Sequence, residues 1–289
     1  SRTPIGGGVV MYSTTRQALT EGRVAELCID KQDPAHTHTL IPQLSPTDSW
    51  PSRYPPTVAV AMAPLSALSY PVALALFMVI QLALLAAIGW LWWRAFPLIR
   101  EKPGWLWGCL ATPLVIEAII GGQTSLLALM CATAAMLCLR RGNDAAAGAI
   151  LALSLYKPNV LWLVVVCCLL ARPRMWLGFL PVAFSGVVVA VVLCGWESLA
   201  EYAGLAVALG GTTWSLETPY WKVHGLVPWL QWLVPGYGRV LAIAGGLVLG
   251  SGMAYLWRRN RLDDRLVIGL VLGCNALFNP YVPIYDLVL

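Results

Sequence analysis

The chain has 289 residues, 58% of them hydrophobic and only 11% charged, with a mean hydropathy of +0.71. A soluble domain is about 45–50% apolar and about 25% charged, so the composition excludes an ordinary water-soluble globule and points to an integral membrane protein. The formal charge of +5 does not signal nucleic acid either, because the arginines collect at the ends of apolar runs and form no basic stripe.

The apolar segments are continuous, without the alternating ten-residue pattern of barrel strands, so helices must satisfy the backbone in lipid. The expected architecture is all-α: a polytopic helical membrane protein with roughly ten membrane segments, some short and re-entrant. Residues 1–53 read as an extracytoplasmic loop region and residues 54–289 as the transmembrane domain. The chain opens on Ser1 and stops at Leu289 within a fresh apolar run, which reads as a piece of a longer protein lacking a first helix and a C-terminal part.

The first region is polar and mixed. It carries Gly6-Gly7-Gly8, a helical-looking Thr14 to Leu27, and then Asp30, Asp33, His36 and His38. The two histidines lack a third ligand of matching geometry, so a solvated loop is the better reading than a metal site. Of the eight cysteines only Cys28 lies in a clearly polar stretch, and neither a disulfide framework nor zinc spacing follows from their positions.

Tyr54-Pro55-Pro56 leads into Thr57 to Leu68, too short to span and therefore re-entrant or interfacial. Pro71 to Trp93 is a full span, ending at Arg94 with Arg100 and Lys102 beyond. Two units of one plan follow, each an apolar run, a polar tip and a second apolar run closed by arginine. The first is Leu106 to Ile120, Gly121-Gly122-Gln123-Thr124-Ser125, then Leu126 to Leu139 with Arg140-Arg141. The second is Ala145 to Leu155, Tyr156-Lys157-Pro158-Asn159, then Val160 to Ala171 with Arg172 and Arg174. Met175 to Cys194 spans again, and Gly195 to Pro235 reads as a second long loop holding Glu197, Glu201, Trp214, Glu217, Tyr220, Trp221, Lys222 and His224. Val240 to Trp257 returns to Arg258, Arg259, Arg261 and Arg265. Leu266 to Phe278 crosses once more to Asn279-Pro280-Tyr281 and Tyr285-Asp286.

Threading these spans places the arginine-rich ends on one side, the cytoplasmic one by the positive-inside rule. The N-terminal loop, both polar tips, the 195–235 loop and the 279–286 turn then share the opposite side. A transporter scatters its polar groups through the midplane and both mouths, so a one-sided gathering favours an enzyme at the outer leaflet.

Lys157 is the centre of that gathering. An ammonium amid apolar residues costs ~2.5–3.5 kcal/mol on insertion scales, so it requires a water-lined or anionic setting. At a proline-broken apex it suits an anion; the plainer reading is a lysine that snorkels to the interface. Gly121-Gly122-Gln123 allows close backbone approach and offers an amide for a sugar hydroxyl or phosphate ester, or is a helix-packing glycine pair. Glu117 is equally a structural or a catalytic carboxylate. Trp221 and His224 suit a sugar ring or headgroup, although an aromatic belt explains the cluster slightly better. Asp286, beside Tyr285 and Asn279, either orients a hydroxyl or caps the next helix.

Together, Tyr54-Pro55-Pro56 with Ala63-Pro64-Leu65, Gly122-Gln123 with Leu126-Leu127, the Lys157-Pro158 apex and the Asn279-Pro280-Tyr281 to Tyr285-Asp286 ending resemble glycosyltransferase family 87, of the GT-C fold. The resemblance covers nearly the whole chain. It implies a mannosyltransferase-like enzyme of the bacterial cytoplasmic membrane, inverting, without metal or other cofactor. Its donor would be a polyprenyl-phosphate-sugar lipid and its acceptor a hydroxyl of a glycan or glycolipid. Such a site needs a carboxylate base and cationic or hydrogen-bonding groups for the departing phosphate. Gln123, Lys157 and Asn159 suit the phosphate and sugar, as do Trp221, His224 and Tyr285. The family usually carries Asp-Phe-x-x-Tyr in its first outer loop. In register with Tyr12 the Asp position is Gly8, so the base is Asp30 or Asp286, or the copy is inactive. A flippase or transporter for a lipid-linked solute is the reading from another class.

Overall fold

A computed structural model describes residues 55–120, 123–210 and 225–279. Among these residues every regular element is helical, as the continuous apolar runs require. In chain order they are α1 (Pro56–Ser66), α2 (Tyr70–Ala95), α3 (Pro97–Glu101), α4 (Gly104–Leu110), α5 (Pro113–Ile120), α6 (Ser125–Arg140), α7 (Asp144–Leu153), α8 (Trp162–Ala171), α9 (Trp176–Gly210), α10 (Val227–Leu233), α11 (Gly238–Arg258) and α12 (Asp264–Phe278).

Three helical stretches are long and apolar enough to cross a membrane: Tyr70–Ala95, Pro173–Ala200 and Gly238–Arg258. Ser125–Arg140, Asp144–Tyr156, Trp162–Ala171 and Leu266–Phe278 are apolar but shorter. The long helices expose large apolar side chains, among them Val79, Leu82, Trp90, Leu177, Phe184, Val192 and Val248. In water such a surface would be an aggregation liability, whereas in lipid it is the correct solvent-facing side.

The residues form two compact units. The first comprises α1, the start of α2 through Val79, and α9 from Phe184. The sequence predicted a loop from Gly195 onward, but the helix resumes and runs to Gly210. Gly195, at φ +81°, supplies the kink, a conformation that costs glycine nothing and an L side chain a steric penalty. Beside it the Ser198 hydroxyl donates to the Cys194 carbonyl at 2.7 Å. Cys194 is disulfide-bonded, which the cysteine spacing did not foretell.

The second unit comprises Ile80–Ala183 and the described residues after Gly225. Its main core joins α6, α7, α8, α11 and α12 through Ala135, Ala147, Leu151, Val164, Cys168, Ala254, Trp257 and Val267. A smaller cluster of Ile88, Val115, Leu126 and Leu129 seats α2 and α5 on α6. The expected apolar run 106–120 is in fact two helices. Pro113 lacks an N–H and pushes the residue before it out of helical geometry, so α4 ends at Leu110 and α5 begins afresh.

Lipid gives apolar helices no hydrophobic reason to associate, so contact depends on close backbone approach. Ala242, Gly246, Gly250 and Ala254 are buried at every fourth position of α11. A Cβ at Gly250 would lie 2.6 Å from Leu163 Cδ1, and one at Gly246 3.1 Å from Trp162 Cη2. The crossing of α7 with the start of α9 is tighter still. A Cβ at Gly178 would lie 1.8 Å from the Ala145 carbonyl oxygen, and one at Gly148 2.0 Å from that of Met175. Backbone cannot yield as a flexible side chain does, so Gly178→Ala should cost at least the ~1–3 kcal/mol typical of overpacking. The expected result is a lowered thermal midpoint of the detergent-purified protein. Gly186→Ala, where nothing lies within 4 Å, should leave the midpoint unchanged.

Arginine-bearing helix ends meet one another. Arg140 Nη1 donates to the Ala95 carbonyl at 3.1 Å, joining the ends of α2 and α6. Arg172 pairs with Asp264 at 2.9 Å, and its guanidinium sits 5.2 Å from the Trp257 ring centroid. The Trp257 indole N–H donates to the same carboxylate oxygen at 2.5 Å. The ends of α8 and α11 and the start of α12 are thereby fixed together.

Candidate functional site

At the opposite ends of these helices the polar tips converge, and the local sequence explains how. After Leu153 the chain tightens into a 3₁₀ turn over Ser154–Tyr156. Pro158 keeps Lys157 out of helical geometry, at φ −142° and ψ 75°, so no helix can pass through. The turn closes when Val160 N–H donates to the Lys157 carbonyl at 3.1 Å, and α8 starts at Trp162. Lys157 is only 7% exposed. A snorkelling lysine keeps its head in water, so the plainer reading of this residue fails and its charge is enclosed by protein.

The first tip meets this apex directly. Tyr156 donates its phenolic O–H to the Thr124 carbonyl at 2.5 Å, across 32 residues of chain. Gln123 N–H turns back onto the Ala118 carbonyl at 2.8 Å. From α2 the Gln81 amide donates to the Gln123 carbonyl. Gln81 is 2% exposed, an amide inside a 26-residue apolar helix, and its use is to hold the tip.

The end of α12 holds the apex from the other side. Asn275, 2% exposed, accepts from Leu163 N–H at 3.1 Å through Oδ1 and donates through Nδ2 to the Val160 carbonyl at 2.6 Å. The N-cap of α8 is Leu161, which has no side chain able to satisfy the first-turn N–H groups. Asn275 does so from another helix, taking the N-cap's ordinary role. One turn on, on the same face, Asn279 Nδ2 donates to the Asn159 carbonyl at 2.5 Å. Leu226 N–H donates to the Leu277 carbonyl at 2.8 Å, bringing the chain before α10 to the same end.

Of the site residues expected from sequence, Gln123, Lys157 and Asn159 are brought together, and Asn279 joins them. Asp30, Trp221, His224, Tyr285 and Asp286 lie outside the described residues, as do Gly8 and Gly121-Gly122. Glu117 lies in α5. Sequence reasoning overlooked Gln81 and Asn275. The signal was available: a lone amide in an apolar membrane helix must find a polar partner, so it marks a contact to another segment.

The chain is therefore an all-helical membrane protein with a polar junction built from two broken helical units, the kind of framework on which a membrane enzyme places its site. A family model covers residues 53–280, well over half of the chain, and the protein belongs to glycosyltransferase family 87. The resemblance carried by the tips and the apex is thus confirmed, and a glycosyltransferase activity is what membership implies. No curated protein and no solved structure matches the chain.

Proposed function

We propose that the protein transfers a hexose, mannose by the family resemblance, from a polyprenyl-phosphate donor to a hydroxyl of an extracytoplasmic glycan or glycolipid. The observation that carries this reading is the enclosed Lys157 at a junction where two polar tips and the end of α12 meet. An ammonium enclosed at a polar junction can stabilise the negative charge that develops on a departing phosphoester.

In this scheme the acceptor oxygen attacks the anomeric carbon while the bond from that carbon to the phosphate oxygen breaks. The leaving phosphate takes the electron pair, and a carboxylate takes the acceptor's proton, with inversion at the carbon. Lys157 stabilises the charge that develops on the phosphate, and Gln123 and Asn159 orient donor groups. Asp30 or Asp286 is the base, and Trp221, His224 and Tyr285 line the sugar side. The reaction calls on no metal.

The site faces the extracytoplasmic side of a bacterial cytoplasmic membrane, with the arginine ends in the cytoplasm.

Membranes holding the full-length protein should transfer radiolabelled mannose from polyprenyl-phosphate-mannose to endogenous acceptors, and membranes without it should not. Absence of transfer from a folded protein refutes the reading for that donor. Movement of the lipid across vesicles without transfer would favour the flippase reading. Activity gained only on Gly8→Asp would mark an inactive copy.

A further inference from the structure

Among the described residues, three buried side-chain polar atoms lack a hydrogen-bond partner: Gln81 Oε1, Thr124 Oγ1 and Trp162 Nε1. Two of them belong to the tip and to the helix that holds it, whereas Trp162 lies in α8 with its ring against Gly246 of α11. Gln81 grips the Gln123 carbonyl, Thr124 is the next residue and receives the Tyr156 hydroxyl on its carbonyl, and Trp162 opens α8 just beyond the apex. A buried polar group without a partner loses its full hydration for nothing in return. Two of them, on Gln81 and Thr124, flank the Gln123 carbonyl and mark an interior place for a polar guest.

The chemistry of these two atoms narrows the guest. Gln81 Oε1 only accepts, and the Thr124 hydroxyl does either. A phosphate diester anion offers acceptors alone, so it cannot satisfy Gln81. A carbohydrate hydroxyl both donates and accepts, so a polyhydroxylated ring can satisfy both Gln81 and Thr124. Thr124 stands at the N-cap of α6 but makes no side-chain capping bond, so its hydroxyl has no structural duty there.

We infer that Gln81 Oε1 and Thr124 Oγ1 bind hydroxyls of the donor's sugar ring and so form the sugar-specificity element of the site. This rests on the proposed donor class. It assigns the ring to the 81/124 side of the junction and leaves the phosphate to Lys157.

Thermal stabilisation of the full-length protein in detergent separates the two. Wild type should be stabilised more by polyprenyl-phosphate-mannose than by polyprenyl phosphate. Thr124→Val deletes the hydroxyl while keeping the shape, and should bring the two shifts to equality. Thr124→Ser should restore the difference. In the transfer assay Thr124→Val should raise KM for the donor about five- to tenfold, the worth of one hydrogen bond to a substrate hydroxyl. If the valine variant keeps the full sugar-dependent increment, the orphaned atoms are met by water alone and the inference is overturned. If polyprenyl phosphate and its mannosyl form both leave wild type unshifted, the donor class itself is wrong, a failure distinct from the first.

Discussion

Asn275→Leu should cost the protein both its stability and its transfer activity. Leucine shares asparagine's branching at Cγ, so the change keeps the outline of the side chain, adds the bulk of two methyl groups and removes two hydrogen bonds. The Leu163 N–H and the Val160 carbonyl then remain buried without partners. At about 1–3 kcal/mol for each stranded group, the loss is about 2–6 kcal/mol together. For a chain of marginal stability that is a large fraction of the total. The expected measurement is a marked fall in the thermal midpoint of the purified protein, with KM for the donor raised in whatever fraction stays folded. A variant with wild-type midpoint and wild-type transfer would show that the apex holds its shape without α12. Few other single changes outside the expected catalytic residues should do as much.

Lys157→Met should separate stability from activity. Methionine keeps a flexible apolar stem and drops the ammonium. The cost of dehydrating that charge disappears with it and offsets part of what the lost contacts take away, so the thermal midpoint should move less than the rate. Transfer should nevertheless fall by about 10²–10³-fold, the usual effect of deleting one group that stabilises developing charge. Measuring thermal midpoint and rate on the same preparation decides the matter. A rate equal to wild type would assign Lys157 to structure, and a collapsed midpoint with proportionate loss of rate would do the same. Lys157→Arg preserves the charge, but its planar guanidinium must enter a space where lysine is 7% exposed, so it should rescue poorly.

Much of this organisation was legible in the residues. Long apolar runs announced helices, and arginines at their ends announced a common side. Both tips stood out because polar residues interrupt apolar runs. Pro158 marked the break at the apex, and the structure places the break there. The sequence was less clear where one residue changes the path without changing composition. Gly195 reads as the start of a loop because glycine and the polar residues after it resemble other loops, yet a single positive φ bends the helix and lets it continue. Pro113 reads as part of a run because its neighbours are apolar, yet it splits that run in two.

The polar junction was legible in its loops and illegible in its supports. Gln123, Lys157 and Asn159 carry visible chemistry at visible breaks. Gln81 and Asn275 carry theirs inside helices, where a scan for apolar periodicity passes over them. Their partners are backbone groups 42 and 112 residues away, and no local pattern encodes such pairings. A lone amide in an apolar helix announces that a partner exists without naming it.

In the proposed reading the tip and the apex form one polar site on the extracytoplasmic face, where a polyprenyl-phosphate-sugar binds. Pro158 is the exposed residue of the apex, next to the enclosed lysine. In oriented membranes, a Pro158→Cys variant should react with a membrane-impermeant maleimide added from the extracytoplasmic side, above the background of the parent chain. Polyprenyl-phosphate-mannose should protect it. Reaction from the cytoplasmic side alone, or extracytoplasmic reaction that the donor lipid leaves unchanged, would rule out such a site.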